Sequence, residues 1–313
     1  MSNTLIIKHG SLGDIVQISG VLKDIRESSF EEKIFILTTS PYAEILSRCP
    51  YIDGVLIDKR LPRWNIIYLA KLKKMIKKYN FTKVVDLQNS SRTSFYRKFL
   101  FNISEWSSSE TVLNNKDIKR EAYDQESVLE RFKSQLDNSN IDSRYTMKPD
   151  FSWACTNVES ILNKYTGKNF ILIFPFSSPK LTHKQWPYFN ELIKIIKSKH
   201  NNFEILIAPG PNELDLSKEI DAIVVMNQKR ALNISELAGL IKKSSFVVSN
   251  DTGPAHMAAH LNSKGLVLFG HHTTPKKVSI ETKNFKALQV DNLDKLAADF
   301  VYSKIKEDLL LIN

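Results

Sequence analysis

Apolar residues follow two alternating rhythms along the chain. Short unbroken runs read as strands buried on both faces: Leu5-Ile6-Ile7, residues 34–37, Val55-Leu56-Ile57 and residues 83–88 in the first half, then 170–174, 203–208, 223–226, 246–249 and 265–269. Between them, apolar positions recur at helical spacing, as in Ile15, Ile18, Leu22 and Ile25, or Leu69, Leu72, Met75 and Ile76, or Val128, Leu129 and Phe132, or Leu237, Leu240 and Ile241. Strand–helix alternation through both halves predicts α/β domains with parallel sheets. Residues 138–153 lose the periodicity, turn polar and carry Pro149, which reads as a linker. The expected division is therefore 1–150, 151–290 and a closing helical segment 291–313. Residues 104–120 are polar and irregular around Trp106, either a mobile loop or a long connection.

Composition narrows this picture. A chain of 313 residues accommodates two such domains. It has no apolar run long enough to cross a bilayer and no secretory signal at its start, so a cytoplasmic protein is expected. The two cysteines, Cys49 and Cys155, form no CxxC pair, which argues against zinc or redox chemistry. The net charge of +10 calls for anionic partners. Without a basic tail, zinc finger or RNA-binding aromatic motif, phosphate-bearing ligands and an anionic membrane surface fit better than nucleic acid. Lys71, Lys73, Lys74, Lys77 and Lys78 line one helix near Trp64, as a solvated face or as a contact for anionic headgroups.

Chemistry concentrates where strands end. After the strand at 246–249, Asn250-Asp251-Thr252-Gly253 makes a turn and Pro254 opens an Ala-rich helix. Such a turn can cradle a diphosphate on helix amides, with Gly253 permitting close approach and His256 one turn in. The same residues also make an ordinary capped turn. Asp14 lies at the carboxyl end of the first strand, where open α/β sheets hold ligands, or caps the helix that follows. The loop reads GxxGD rather than GxGxxG, and no GxxxxGK[ST] occurs, which disfavours dinucleotide and P-loop readings. His256 and His260 lack the Glu of HExxH, Met257 standing in its place, and no DxD is present, so no metal is expected.

The stretch ISELAGLIKKSSFVVSNDTGPAHMAAHL, from Ile234 to Leu261, resembles the signature of glycosyltransferase family 9, the heptosyltransferases of lipopolysaccharide core assembly. IKHGSLGDIVQ at 7–17, Lys184-Gln185-Trp186-Pro187, and Asp86-Leu87-Gln88 followed by Arg92 are similar to further family pieces. The resemblance implies the GT-B fold, two Rossmann-like domains facing across a cleft, in which the closing helix at 291–313 can cross back to pack on the first domain. It implies Asp14 as catalytic base and Lys184 as the lysine of the leaving diphosphate. It places Ser177, Ser178, Glu213, Met226, Asp251, Thr252, Gly253 and His256 at the donor, with Glu213 on ribose hydroxyls and Met226 by the base. Gln88 and Arg92 fall on the acceptor side. Phe176, His271 and His272 depart from the family pattern.

The implied reaction is inverting, metal-independent transfer from a nucleotide-sugar co-substrate, ADP-heptose, to an anionic glycolipid acceptor at the inner face of the bacterial inner membrane. The rivals are a non-catalytic nucleotide-sugar-binding relative on the same scaffold and a dinucleotide-dependent oxidoreductase.

Overall fold

The computed structural model describes residues 3–178 and 181–312. The chain divides into two compact units, Met1–Trp153 and Ala154–Asn313. The first contains β1 (Asn3–Ile7), β2 (Lys33–Thr38), β3 (Gly54–Ile57), β4 (Phe81–Asp86) and β5 (Glu105–Ser107), parallel and in the order β3-β2-β1-β4-β5. The second contains β6 (Asn169–Phe174), β7 (Phe203–Ile207), β8 (Ile223–Val224), β9 (Phe246–Asn250), β10 (Gly265–Phe269) and β11 (Phe285–Gln289), parallel in the order β11-β10-β9-β6-β7-β8.

Each sheet therefore grows outward on one side and then restarts on the other. The reversals fall between β1 and β4 and between β6 and β9, the positions at which open parallel sheets leave a crevice beyond their carboxyl ends. The central strands carry continuous apolar runs because both faces are covered: Leu5, Ile6 and Ile7 are fully buried, as are Val247 and Val248. The first core gathers Leu5, Ile7, Leu37, Val84, Leu72, Tyr96 and Trp106. The second gathers Ile171, Ile173, Trp186, Phe189, Ile205, Phe246 and Val248.

Two expectations change. Residues 138–153 are not a free linker. Asp24, 2% exposed, accepts from the Tyr145 amide at 2.9 Å, the Thr146 amide at 2.7 Å and the Thr146 hydroxyl at 2.7 Å, tying this segment to the helix Ser19–Ser28. A buried carboxylate takes such amides at no cost in apolar periodicity, so the sequence pattern misses it. Residues 104–120 hold the edge strand β5 and the helix Ser109–Lys116. The closing helix, Ala298–Leu310, buries Val301, Ile305 and Leu309 in the second unit's core beside the helix Phe189–Lys199. Strand β11 went unread because, as an edge strand with one residue buried, it lacks a continuous apolar run.

Candidate active site

Two loop clusters sit at the two strand-order reversals. In the first unit, Asp14 occupies the first turn of the helix Leu12–Gln17. Its Oδ2 accepts from the Ser11 amide at 2.6 Å and the Ser11 hydroxyl at 3.0 Å, and its Oδ1 from Lys8 Nζ at 3.2 Å. Lys8 is buried and also donates to the Leu87 carbonyl at 3.1 Å, so its charge is fixed beneath the carboxylate. Burial alone would raise the Asp14 pKa; Lys8 and Ser11 outweigh it and hold the group below the ordinary carboxylate value. Asp14 is thus ionised at neutral pH and part-exposed, the state in which it can accept a proton. Gly10 makes the bend possible. Its φ is +114°, and a Cβ there would lie 2.2 Å from the Tyr42 ring.

Neighbouring groups lock this loop. The His9 amide donates to Gln88 Oε1 at 2.8 Å, and Thr39 Oγ1 donates to the His9 carbonyl at 2.8 Å. His9 Nε2 lies 2.9 Å from Asp58 Oδ2, which also accepts from Tyr96 OH at 2.7 Å; Tyr68 OH donates to the other oxygen. Those hydrogen bonds pull the Asp58 pKa down to about 2 against its burial. Arg92 donates to Tyr96 OH at 3.1 Å and to the carbonyls of Arg60 at 3.3 Å and Leu61 at 3.0 Å. Gln88 thus reaches the Asp14 loop through His9 and Arg92 reaches Tyr96, the partner of Asp58, each engaged with the protein itself.

Beside them lies a feature the sequence did not reveal. A cavity of about 180 Å³ opens beyond β4 and β5, lined by Asp86, Ser91, Arg97, Trp106, Ser109 and Arg120 among others. Burial pushes the Asp86 carboxyl up to about 6. Residues from three separate segments meet here, so no local spacing announces the pocket.

In the second unit Asp251, 6% exposed, follows β9. Its Oδ2 accepts from Lys184 Nζ at 2.6 Å and pairs with His272 Nε2 at 2.9 Å; His256 Nε2 lies 3.9 Å from Oδ1. Burial would raise the Asp251 pKa, but Lys184 and His272 hold it below the ordinary value. His272 is pushed down, chiefly by burial. Its ring packs edge-on to His183, centroids 5.5 Å apart. His260, behind His256, is buried and pushed down to about 3. Among the described residues, no group of three or more His, Cys, Asp or Glu has a metal-holding arrangement.

The capped-turn alternative is not what forms. Thr252 stands at the cap of the helix Gly253–His260 without a side-chain cap bond; its hydroxyl donates back to the Asn250 carbonyl at 3.3 Å. Pro254 has no N–H, and the Ala255 and His256 amides donate to the Thr252 carbonyl at 3.1 and 3.3 Å, so what this helix start offers an anion is its dipole and the Thr252–Gly253 backbone. Asn250, fully buried, straps the two loops together, donating to the Pro175 carbonyl at 2.7 Å and accepting from the Trp186 amide at 3.0 Å. Neither Asn250 nor His272 was singled out from the sequence as a site residue. Asn250 read as a turn residue and His272 as a departure from the family pattern.

The remaining donor candidates have varied engagements. Ser177 Oγ donates to the Leu181 carbonyl at 2.9 Å, bracing its own loop, and Ser178 is exposed. Glu213 accepts from the Gly210 amide at 2.8 Å and has its pKa raised by burial. The backbone of Met226 is clasped by Tyr165 OH, which donates to its carbonyl at 2.8 Å and accepts from its amide at 3.1 Å.

Two parallel-sheet units, each with a charged loop cluster at its strand-order reversal, are the architecture of GT-B glycosyltransferases. Heptosyltransferase WaaC of E. coli, solved with ADP, superposes with a TM-score of 0.74 at 18% identity, covering 98% of this chain and 99% of that one. A family 9 glycosyltransferase of Veillonella parvula gives 0.77 at 15% identity, with 99% and 97% covered. In sequence, lipopolysaccharide heptosyltransferase 1 of Campylobacter coli is 25% identical, over 98% of this chain and 96% of its own length. Residues 69–306 match glycosyltransferase family 9 (heptosyltransferase), and the chain belongs to that family. It is a glycosyltransferase; the oxidoreductase reading is set aside and the non-catalytic one is not favoured.

Proposed function

We propose that the protein transfers heptose, with inversion, from ADP-heptose to a hydroxyl of a lipopolysaccharide-core or related glycolipid acceptor. The observation that carries this is the Lys184–Asp251–His272 cluster at a helix start without a side-chain cap. There the leaving diphosphate would exchange places with Asp251 as the partner of Lys184, taking the Thr252 and Gly253 amides and His256 as further donors. Lys184 then stabilises the charge that grows on the β-phosphate as the anomeric C–O bond breaks. Asp14 takes the acceptor proton while the acceptor oxygen attacks the anomeric carbon from the opposite face. Lys8 and Ser11 fix its carboxylate for that task.

Glu213 suits the ribose hydroxyls, since a carboxylate accepts from two vicinal O–H groups. Met226 borders the base, and Ser177 and Ser178 shape the loop over the diphosphate. ADP is the nucleotide of the E. coli neighbour. On the acceptor side, Arg97 and Arg120 in the serine-lined cavity suit acidic groups on a sugar, with Gln88 and Arg92 holding the loops around it. The first unit thus serves the acceptor and the second the donor. A lipid-linked acceptor places the work at the cytoplasmic face of the inner membrane; no described helix is long and apolar enough to cross it.

A thermal-shift panel of ADP, UDP, GDP, CDP and NAD, each with and without EDTA, tests the donor reading. ADP alone should stabilise the protein, by about 2.7 kcal/mol at a hundredfold excess over its dissociation constant, and EDTA should change nothing. Stabilisation by a different diphosphate would exclude ADP-heptose; no response to any would exclude a diphosphate site at Asp251.

A further inference from the structure

One stretch exposes its apolar residues rather than burying them. Trp64 is 80% exposed, Ile66 77% and Ile67 71%, and no other described stretch exposes three large apolar side chains within four positions. Leu61, 38% exposed, precedes them. Ile66 and Ile67 open the helix Ile66–Lys77, whose Tyr68, Leu72 and Ile76 are buried in the core, so the helix has an inner face and these two lie off it. Lys71, Lys74, Lys77 and Lys78 follow at helical spacing on the same outer face.

The stretch is held in place. Arg92 donates to the carbonyls of Arg60 and Leu61. The Arg63 guanidinium donates to the Ser91 carbonyl at 3.3 Å and lies 5.8 Å over the Phe95 ring. Phe95 in turn packs 5.3 Å from the ring of Phe99, which is 71% exposed, with Lys98 exposed beside it. The result is a fixed apolar tip formed by Trp64, Ile66, Ile67 and Phe99, rimmed by Arg60, Arg63 and Lys98 and continued by the lysine face. From Lys59 to Asn80 the chain carries eight Lys and Arg and no Asp or Glu.

We propose that this surface is the membrane-docking face of the enzyme: Trp64, Ile66, Ile67 and Phe99 enter the headgroup region of a bilayer while the surrounding Lys and Arg pair with anionic lipid. The inference deepens the proposed function and rests on its lipid-linked acceptor. Charge decides between occupants. A second copy in a two-fold contact would set this basic face against itself, whereas an anionic leaflet complements it. A phosphodiester polymer would answer the charge but leave the aliphatic tip in water. An apolar wedge within a basic rim matches the interface of a bilayer, where indole and long basic side chains settle.

Vesicle co-sedimentation of the full-length protein tests this, with phosphatidylcholine alone and with phosphatidylcholine containing phosphatidylglycerol. The protein should partition onto the anionic vesicles and not the neutral ones. Trp64→Ser/Ile66→Ser/Ile67→Ser should lower that partitioning by at least about tenfold, and Lys71→Gln/Lys74→Gln/Lys77→Gln/Lys78→Gln by at least about a hundredfold. These side chains are exposed, so both variants should keep the wild-type melting temperature, the ADP response and turnover on a delipidated, water-soluble acceptor. Vesicle binding that is absent in the wild type, or unchanged in the serine variant, overturns the proposal. A wild-type dimer that the serine variant converts to monomer would make the face a self-contact, and stoichiometric binding of a DNA oligonucleotide lost in the serine variant would make it a nucleic-acid surface; either outcome overturns it. Loss of the ADP response would instead strike the proposed function, leaving the vesicle result to stand by itself.

Discussion

Replacing Lys184 by alanine separates what the lysine does for the fold from what it does for the reaction. Its ammonium lies 2.6 Å from Asp251 Oδ2, and the Asp251 side chain is 5% exposed. Without the lysine, a buried carboxylate is left with His272 Nε2 at 2.9 Å as its close hydrogen-bond partner. Breaking a buried pair costs about 3–5 kcal/mol when the orphaned charge has no other partner. Here His272 remains and the Lys184 side chain is already 20% exposed. The expected loss is therefore about 2 kcal/mol, the worth of one hydrogen bond to a charged group. In a unit of this size that lowers the melting temperature by about 4–8 °C.

Adding Asp251→Asn removes the orphaned charge, so the double variant should regain most of the lost stability. Turnover should behave differently. The charge facing the leaving diphosphate is gone in both variants, so kcat should fall by about 10²–10³ in each. Paired denaturation curves and kcat measurements read the two effects separately. Turnover that returns together with stability in the double variant would refute the reasoning, because Lys184 would then do no more than neutralise Asp251. His272 supplies an internal check. Burial and Lys184 both hold its pKa down. In Lys184→Ala the lysine's share of that depression is removed and the folded pKa should move up toward its unfolded value, so protonating His272 costs the folded state less than in the wild type and the variant's deficit should narrow as pH falls. The variant should accordingly suffer more in mildly alkaline than in mildly acidic buffer.

The first unit supplies the remaining tests. Asp14→Asn should abolish transfer while leaving the ADP thermal shift intact, and retained turnover would remove Asp14 from the mechanism. Because Lys8 and Ser11 depress the Asp14 pKa, its contribution to stability is present above the unfolded value and lost as pH falls through the folded one; a pH–rate profile should show no acidic limb from Asp14 until below about 3.8, the model-peptide range, and Lys8→Met should move that limb upward. Gly10→Ala forces a side chain into a φ of +114° and against Tyr42. It should cost about 1–3 kcal/mol of stability and reduce kcat by misplacing the Asp14 loop, measurable by denaturation and steady-state rates; an unchanged melting temperature would show that the bend relaxes freely.

Much of this protein follows from local order in its chain. Runs such as Leu5-Ile6-Ile7 and Phe246-Val247-Val248 can be buried on both faces only in a covered parallel sheet, and helices at 3.6 spacing between them supply the cover. That pattern fixes where strands end, and so where Asp14 and the Asn250–Gly253 turn stand, because chemistry in such sheets gathers at carboxyl ends. Partnership is another matter, since it depends on which distant segments the fold brings together. Lys184 meets Asp251 because β6 and β9 are neighbours, and His272 joins them from the loop after β10. Arg92, read as a ligand residue, turns its guanidinium to the carbonyls of Arg60 and Leu61, which only the packed loop presents. The cavity of Arg97 and Arg120 and the exposed tip at Trp64 are likewise set by assembly. Periodicity records what each residue would bury against; which groups fill a hydrogen-bonding distance is settled only when the sheets close and the loops above them must satisfy one another.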